Sequence, residues 1–431
     1  MRVALNTLGC RLNEAELENW SNGFQRLGYS ITKQTADADL IVVNTCAVTK
    51  EAVKKSRQLL RKSHRLNPQA KLVVSGCYGT LDPEAVNGID GIDLLIPNKD
   101  KDDLVKIVSE QLFRESMPLM ATEAGETPLF SRGRNRAFIK VQDGCRYRCA
   151  FCIVTVARGS ERSRSPEKIV SEINLLASQG IKEVILTGVH IGGYGSDINT
   201  SICDLIQTVL SETDIPRLRL GSIEPWDLGD DFLKLFENPR FMPHLHLPLQ
   251  SGSNTVLRRM ARRCLVEEYE KLISEIRSSI SNFNLTTDII VGFPGESDKE
   301  WRDSLDFIES CEFSHIHIFP YSQREGTRAA ISRDQLSPAT KKARTQELHA
   351  LALQSRQSVL NTFKGLEFPV LFENSFPDDI RQCTGYTGYT SNYLKVKVMS
   401  NSELSLENEI VPVRLIKFDE TSNMLEAELL C

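Results

Sequence analysis

No stretch of this sequence approaches the roughly 18 consecutive apolar residues that a membrane-spanning helix needs, so an integral helical membrane protein is not expected. A basic leader running into an apolar segment is missing as well, which argues against secretion and makes the cytoplasm the expected location. Charge of one sign is scarce: 52 Lys and Arg face 57 Asp and Glu, a formal net of −5. The deficit sits in residues 361–431, with 6 basic against 11 acidic residues, while the remainder balances at 46 each. A nucleic-acid partner would therefore have to be met by local patches rather than by overall charge. Internal repeats, coiled-coil heptads and low-complexity tracts are absent too. Cysteine is not: eleven of them, in a chain with no sign of secretion, speak for a metal or redox role rather than a disulfide framework.

The 431 residues exceed one ordinary domain and fit two or three. In residues 1–111 the runs "VALNTLGC", "DADLIVVNTC" and "AKLVVSGC" are short, partly β-branched and separated by helical spacing, which predicts an open parallel α/β sheet. Each run ends in a cysteine, Cys10, Cys46 and Cys77. Such sheets place ligands beyond the carboxyl ends of their strands, so the three could converge; each could equally be a core residue. Residues 112–136 mix Pro, Gly and charge without a period and read as a linker. In residues 137–358 six strand candidates, "AFIKV", "EVILTG", "RLRLG", "HLHLPL", "TTDIIVG" and "SHIHIFP", alternate with helices, predicting a partial (β/α)6 barrel whose active face lies at the strand carboxyl ends. Residues 359–431 change to short alternating runs, expected to form a small antiparallel β-barrel.

Directly after the first barrel strand comes "GCRYRCAFC", with Cys145, Cys149 and Cys152 at spacings of four and three. A closed zinc site takes four protein ligands, and the nearest other Cys or His is the distant His190. A 4Fe-4S cube answers differently: three thiolates hold three irons and the fourth iron stays open to a non-protein ligand. S-adenosylmethionine can chelate that iron through its amino and carboxylate groups, where an electron can break a carbon–sulfur bond and release a deoxyadenosyl radical.

The motif resembles the signature of the radical S-adenosylmethionine superfamily. The resemblance implies cofactor contacts from Tyr147 and Phe151 in the loop, Glu224 in "GSIEP", Gln250 in "PLQSGS", and Gly292, Gly295 and Glu296 in "TDIIVGFPGE", each just past a strand. No conventional acid or base is assigned, because radical abstraction needs none for its first step.

"TLGCRLNEAE", "NTCAVT", "SGC", "ARGSERSRSP", "LTGVHIGGYG", "HLHLPLQSGSNTVLRRM" and "FPYSQREGT" extend the likeness over the whole chain to one branch, the methylthiotransferases. That likeness implies a second 4Fe-4S cluster on Cys10, Cys46 and Cys77, S-adenosylmethionine as both radical source and methyl donor, and an RNA-binding TRAM-like tail. It also implies an electron donor, a sulfur source, no membrane and a monomeric enzyme. "LTGVHIGGYG" and "FPYSQREGT" look most like the branch acting on N6-threonylcarbamoyladenosine at position 37 of tRNA. The alternatives are N6-isopentenyladenosine in tRNA and an aspartate of a ribosomal protein.

Arginine forks suit phosphate or a substrate carboxylate, making Arg158, Arg162, Arg164 and Arg324 candidate substrate contacts. Lys50, Lys54, Arg57, Arg61 and Arg65 recur along one helix face, as a phosphate patch or simply a solvated surface. His246 and His317 either line the barrel mouth or are satisfied polar core residues, the latter reading standing above that of a catalytic base. The sequence departs from the family at Thr155 and Val156, where a proline and an aromatic are usual, and at Cys264 in place of tyrosine. The acidic tail is also unexpected in an RNA-binding domain, unless residues such as Arg381, Lys395 and Lys397 form a local patch.

Overall fold

The computed structural model describes residues 1–113, 135–229, 231–378, 383–400 and 405–430. The expected linker at 112–136 and the tail residue Arg381 lie largely or wholly outside these.

The first layer runs β1 (Arg2–Thr7), α1 (Arg11–Arg26), β2 (Ser30–Thr32), β3 (Leu40–Thr45), α2 (Lys50–Leu66), β4 (Lys71–Gly76), α3 (Cys77–Leu81), α4 (Pro83–Asn87), β5 (Leu94–Ile96) and α5 (Leu104–Leu112). Its five strands pair in parallel in the order β2-β1-β3-β4-β5. Central β3, "LIVVNT", is buried at every residue, as a strand covered by helices on both faces must be.

The second layer begins with β6 (Arg136–Lys140) and a two-residue ladder, β7 (Gln142–Asp143) against β8 (Arg162–Ser163), enclosing α6 (Val154–Arg158). It continues through α7 (Pro166–Ser178), β9 (Glu183–Thr187), α8 (Ile202–Glu212), β10 (Arg217–Leu220), β11 (His244–His246), α9 (Asn254–Arg259), α10 (Val266–Ser279), β12 (Asn284–Val291), α11 (Asp298–Ser310), β13 (His315–Pro320) and α12 (Pro338–Thr362). The parallel sets β6-β9-β10 and β11-β12-β13 are joined by bridges from Leu218 to Phe241 and Ser222 to His246. Six parallel strands thus follow one another in chain order, with the largest apolar core between them and the outer helices.

The tail, β14 (Glu367–Asp378), β15 (Cys383–Thr390), β16 (Lys395–Ser400), β17 (Ile410–Asp419) and β18 (Met424–Leu429), closes into a barrel. The expectation of a wholly antiparallel barrel needs correcting, because β16 and β18 run parallel. Five strands in a ring cannot alternate direction throughout, so at least one neighbouring pair must agree.

This tail docks on the amino-terminal ends of the six strands. Arg217 donates to the carbonyls of Tyr389 and Pro369, Arg219 to that of Ser391, and Asn284 to that of Asn392. Tyr393 lies 4.6 Å below the Arg219 guanidinium and 4.8 Å from the His244 ring. The barrel is therefore floored at one end, and the strand carboxyl ends face the first layer.

Candidate active site

Cys10, Cys46 and Cys77 follow the ends of β1, β3 and β4, and parallel pairing of those neighbours brings the three loops to one edge. Gly76, at φ +102°, makes the turn into Cys77; a Cβ there would stand 2.2 Å from the Thr45 carbonyl oxygen, so only glycine fits. Cys46 and Cys77 are buried, Cys10 exposed, and none is in a disulfide. Burial, with Cys77 and Cys10 nearby, pushes the Cys46 thiol up to about 11. Cations lie close to the set: Arg158 near Cys77 and Cys10, Lys101 near Cys77, and Arg324 near Cys46. Asn98 donates to the Cys77 sulfur at 3.7 Å, and Asn13 accepts from Cys10 at 3.8 Å. Three thiols beside cations and one amide donor suit an anionic iron–sulfur cluster with one open corner.

The second loop rises from the β7/β8 ladder. Gly144, at φ +75°, precedes Cys145, and a Cβ on it would meet the Ser160 oxygen at 1.9 Å. The Tyr147 and Val154 backbone N–H groups donate to the sulfurs of Cys145 and Cys152, each at 3.4 Å. Arg262 approaches the Cys149 sulfur at 4.0 Å. Thr155, one of the departures from the family pattern, donates to the Tyr147 carbonyl at 2.9 Å and so braces the loop. His190 and Glu161 lie beside Cys145. Both His190 nitrogens are engaged, by Glu161 at 2.5 Å and Asp227 at 2.6 Å, so neither is free as a fourth ligand. Burial opposes the imidazolium, but these two carboxylates raise the His190 pKa. Again the donor set fits a cube held at three corners.

Of the residues expected around S-adenosylmethionine, Tyr147 and Phe151 belong to this loop, and Glu224 connects to it through Arg262. Tyr147 packs 4.5 Å from the His190 ring and 4.4 Å from the Arg263 guanidinium. Phe151 packs against the Ile290, Phe293 and Tyr321 cluster. Gln250, buried, sits at φ +73°, a conformation costly for a non-glycine residue and typical of functional positions. Glu224 accepts two bonds from Arg262, which ties it to Cys149. Gly292 and Gly295 both have positive φ. Glu296 accepts from the Gly292 N–H at 3.0 Å and from Arg344 at 2.7 Å, so its carboxylate shapes the glycine turn.

Of the four candidate substrate arginines, two require correction. Arg158 is buried and spends its guanidinium on Glu16 at 2.9 Å, Asp143 at 3.1 Å and Asn13 at 2.9 Å, which locks the two layers together. Arg164 donates to the Lys140 carbonyl and Glu172. Arg162 is half-exposed, 3.8 Å from Asp143. Arg324 keeps a buried Nε with no hydrogen-bond partner among the described residues, close to Cys46.

Along β13, Ile316 and Ile318 pack into the outer core, leaving His315, His317 and Phe319 on the inner face. His317 and Phe319 are exposed there, so the barrel is open at this level. His246, Asp288 and His317 bring their polar atoms within 4.8 Å of one another, with His246 3.1 Å from Asp288 and bonded to Thr286 at 2.9 Å. Burial, His246 and Arg11 hold His317 below the usual imidazole range.

Arg11, next to Cys10, reaches Phe138 on β6 and donates to the Tyr393 hydroxyl at 3.0 Å. Sequence reasoning missed Arg11, and with it Asn13, Glu16 and Lys101. For the first three the only signal was their proximity to "GC" in "TLGCRLNEAE"; Lys101 carried none.

Comparison with known proteins agrees with this layout. A model described as the Radical SAM superfamily matches residues 139–308, and one described as Uncharacterized protein family UPF0004 matches residues 2–97. The chain is 34% identical to the threonylcarbamoyladenosine tRNA methylthiotransferase MtaB of Bacillus subtilis, over 96% of this chain and 94% of that one. It is also 34% identical to the tRNA-2-methylthio-N(6)-dimethylallyladenosine synthase of Staphylococcus haemolyticus, over 89% and 77%. Among solved structures, the radical S-adenosylmethionine methyltransferase TsrM of Kitasatospora setae superposes with a TM-score of 0.56 at 16% identity, covering 77% of this chain and 75% of that one, a likeness of fold alone.

Proposed function

The chain belongs to the radical S-adenosylmethionine methylthiotransferases, and from that premise we propose that it transfers a methylthio group to C2 of N6-threonylcarbamoyladenosine at position 37 of tRNA, in the cytoplasm. Membership brings a 4Fe-4S cluster and S-adenosylmethionine, for which Cys145, Cys149 and Cys152 are the natural ligands. A second cluster on Cys10, Cys46 and Cys77 belongs to the same proposal. When bound, these groups supply one-electron carbon–sulfur cleavage and the sulfur to be transferred.

The protein's own part is placement. The Arg158 network ties the first layer to the radical cluster loop, with Arg158 itself close to Cys10 and Cys77. Gln250, Glu224 and the glycine turn line the side where S-adenosylmethionine would lie. Tyr393 and the tail close the far end against water.

Relatives named for the two tRNA substrates are equally similar, so identity does not choose between them. The observation that carries the choice is Arg324, whose buried Nε has no partner among the described residues and which lies close to Cys46; Arg11, His246 and His317 add a second polar group, near one another. These groups can bind the threonyl carboxylate and hydroxyl. An isopentenyl group would leave the buried Arg324 Nε unpaired, at about 1–3 kcal/mol for an unsatisfied group, whereas Arg11 already meets Tyr393 and His246 already meets Asp288 and Thr286. A ribosomal aspartate also offers a carboxylate, but a basic protein gains nothing from the cationic surface around α2.

The test is mass spectrometry of tRNA nucleosides from cells lacking this gene. Loss of the methylthio form with accumulation of threonylcarbamoyladenosine supports the proposal. Unchanged amounts of both nucleosides would overturn it.

A further inference from the structure

In the acidic tail, Arg414 is paired with Glu367 and Glu428, and Lys417 with Glu426. Helix α2 is the opposite case. It carries seven Lys and Arg against the single acid Glu51, and Lys50, Lys54, Lys55, Arg57, Arg61, Lys62 and Arg65 are all exposed. Among the described residues, only Arg57 has a carboxylate partner, Asp82 at 3.8 Å.

The helix faces outward because Ser56, Leu60 and Ser63 are its buried side. Steps of three and four residues keep Lys50, Lys54, Arg57, Arg61 and Arg65 on one stripe. At 1.5 Å per residue the stripe runs about 25 Å, room for several consecutive phosphates.

Its position matters as much as its charge. The Lys50 N–H donates to Ser322 at 3.3 Å, in the loop that carries Arg324. The stripe therefore starts at the rim of the cavity and leads away from it. Around that rim three apolar side chains are exposed: Val48, two residues after Cys46, Val156, four after Cys152, and Ile331, whose turn bonds Ala150 through Ala329. Exposed apolar groups beside a reactive cavity suit bases splayed out of a loop.

We propose that α2 is the docking rail for the phosphodiester backbone of the RNA stem whose loop enters the cavity, so that the electrostatic grip on RNA lies in the first layer and not in the tail barrel. This rests on the tRNA reading above. Unpaired cations on a helix release counterions when phosphate binds, whereas in the tail Arg414 and Lys417 are already neutralised and Lys397 lies close to Asp419. Each phosphate contact adds roughly 0.9 to the slope of log affinity against log salt for a duplex.

The test uses anaerobically reconstituted holoenzyme and full-length tRNA purified from cells lacking this enzyme. Affinity is measured by fluorescence anisotropy between 50 and 300 mM KCl for the wild type, for K54E/R61E on α2, and for K395E/K397E on the tail. The proposal expects K54E/R61E to weaken binding at least tenfold at 100 mM KCl and to flatten the salt slope by roughly two. K395E/K397E should change affinity less than threefold. Both variants should keep their iron and their RNA-independent deoxyadenosine formation. Wild-type affinity and slope in K54E/R61E, with wild-type enzyme binding and modifying the tRNA, would overturn the docking alone. A wild type that binds no tRNA at 50 mM KCl would overturn the docking and the tRNA reading together.

Discussion

Arg158 of the radical cluster loop donates to Glu16 of α1 at 2.9 Å, both side chains buried, and Lys101 reaches the other oxygen of the same carboxylate at 2.5 Å. Burial disfavours the charge on Glu16, yet Lys101 and Arg158 hold its carboxyl well below the usual carboxylate range. A carboxylate six residues after Cys10 is thus bound to an arginine six residues after Cys152. The pair sets the relative position of the two cysteine sets.

Replacing Arg158 with methionine should therefore uncouple the chemistry. Glu16 keeps Lys101 and Asp143 keeps Lys140, so the fold is spared an isolated buried charge. RNA-independent deoxyadenosine formation should stay within about threefold of wild type, while methylthio transfer falls at least tenfold, misplacement of reacting groups by about 1 Å costing on the order of a hundredfold. Equal loss of both activities would show that the pair holds the fold only.

Gly76→Ala and Gly144→Ala should each remove one cluster. Added methyl groups would stand 2.2 Å from Thr45 and 1.9 Å from Ser160 backbone oxygens, so each cysteine loop must shift. Iron analysis should fall from about eight to about four per chain in either variant, two 4Fe-4S cubes giving about eight. Only Gly144→Ala should lose deoxyadenosine formation. A full iron content in Gly76→Ala would remove Cys77 from the proposed ligands.

Glu183 lies fully buried under the barrel, with Arg219 at 3.1 Å and Arg136 and Arg217 within 4 Å. Burial raises its pKa, but Arg219, Arg136 and Arg217 outweigh it and hold the carboxyl at about 2. A depressed carboxylate contributes stability that is complete above its ordinary pKa of 4.5 and is lost as pH falls from there toward 2, here about 3 kcal/mol. Urea unfolding should show Glu183→Gln less stable than wild type by about 3–5 kcal/mol at pH 7, with the gap narrowing at pH 3.5. A gap independent of pH would contradict the assignment.

Arg324→Gln should separate the substrates. With a carboxylate partner lost, KM for tRNA bearing threonylcarbamoyladenosine should rise at least tenfold, a charged hydrogen bond contributing about 1.5–3 kcal/mol. Deoxyadenosine formation without RNA should not change. An unaltered KM would take Arg324 out of the carboxylate site.

Much of this arrangement is visible in the chain because glycine and cysteine leave local marks. "LGC", "SGC" and "DGC" signal turns with positive φ leading into ligands, and the parallel strands follow from their unbroken apolar runs. Partnerships across the sequence leave no such mark. Arg158 meets Glu16 142 positions away, and charge alone made it look like a substrate contact. Arg11 meets Tyr393 382 positions away, a contact that exists only because the tail floors the barrel. The parallel pair in the tail follows from strand parity, which local alternation cannot show.

The most direct measurement offers reconstituted enzyme, S-adenosylmethionine and a reductant equal amounts of one tRNA carrying threonylcarbamoyladenosine and one carrying isopentenyladenosine, and quantifies both methylthio products by nucleoside mass spectrometry. The polar, cationic cavity predicts at least a hundredfold preference for the threonylcarbamoyl substrate. Equal modification of the two, or preference for the isopentenyl form, would contradict it.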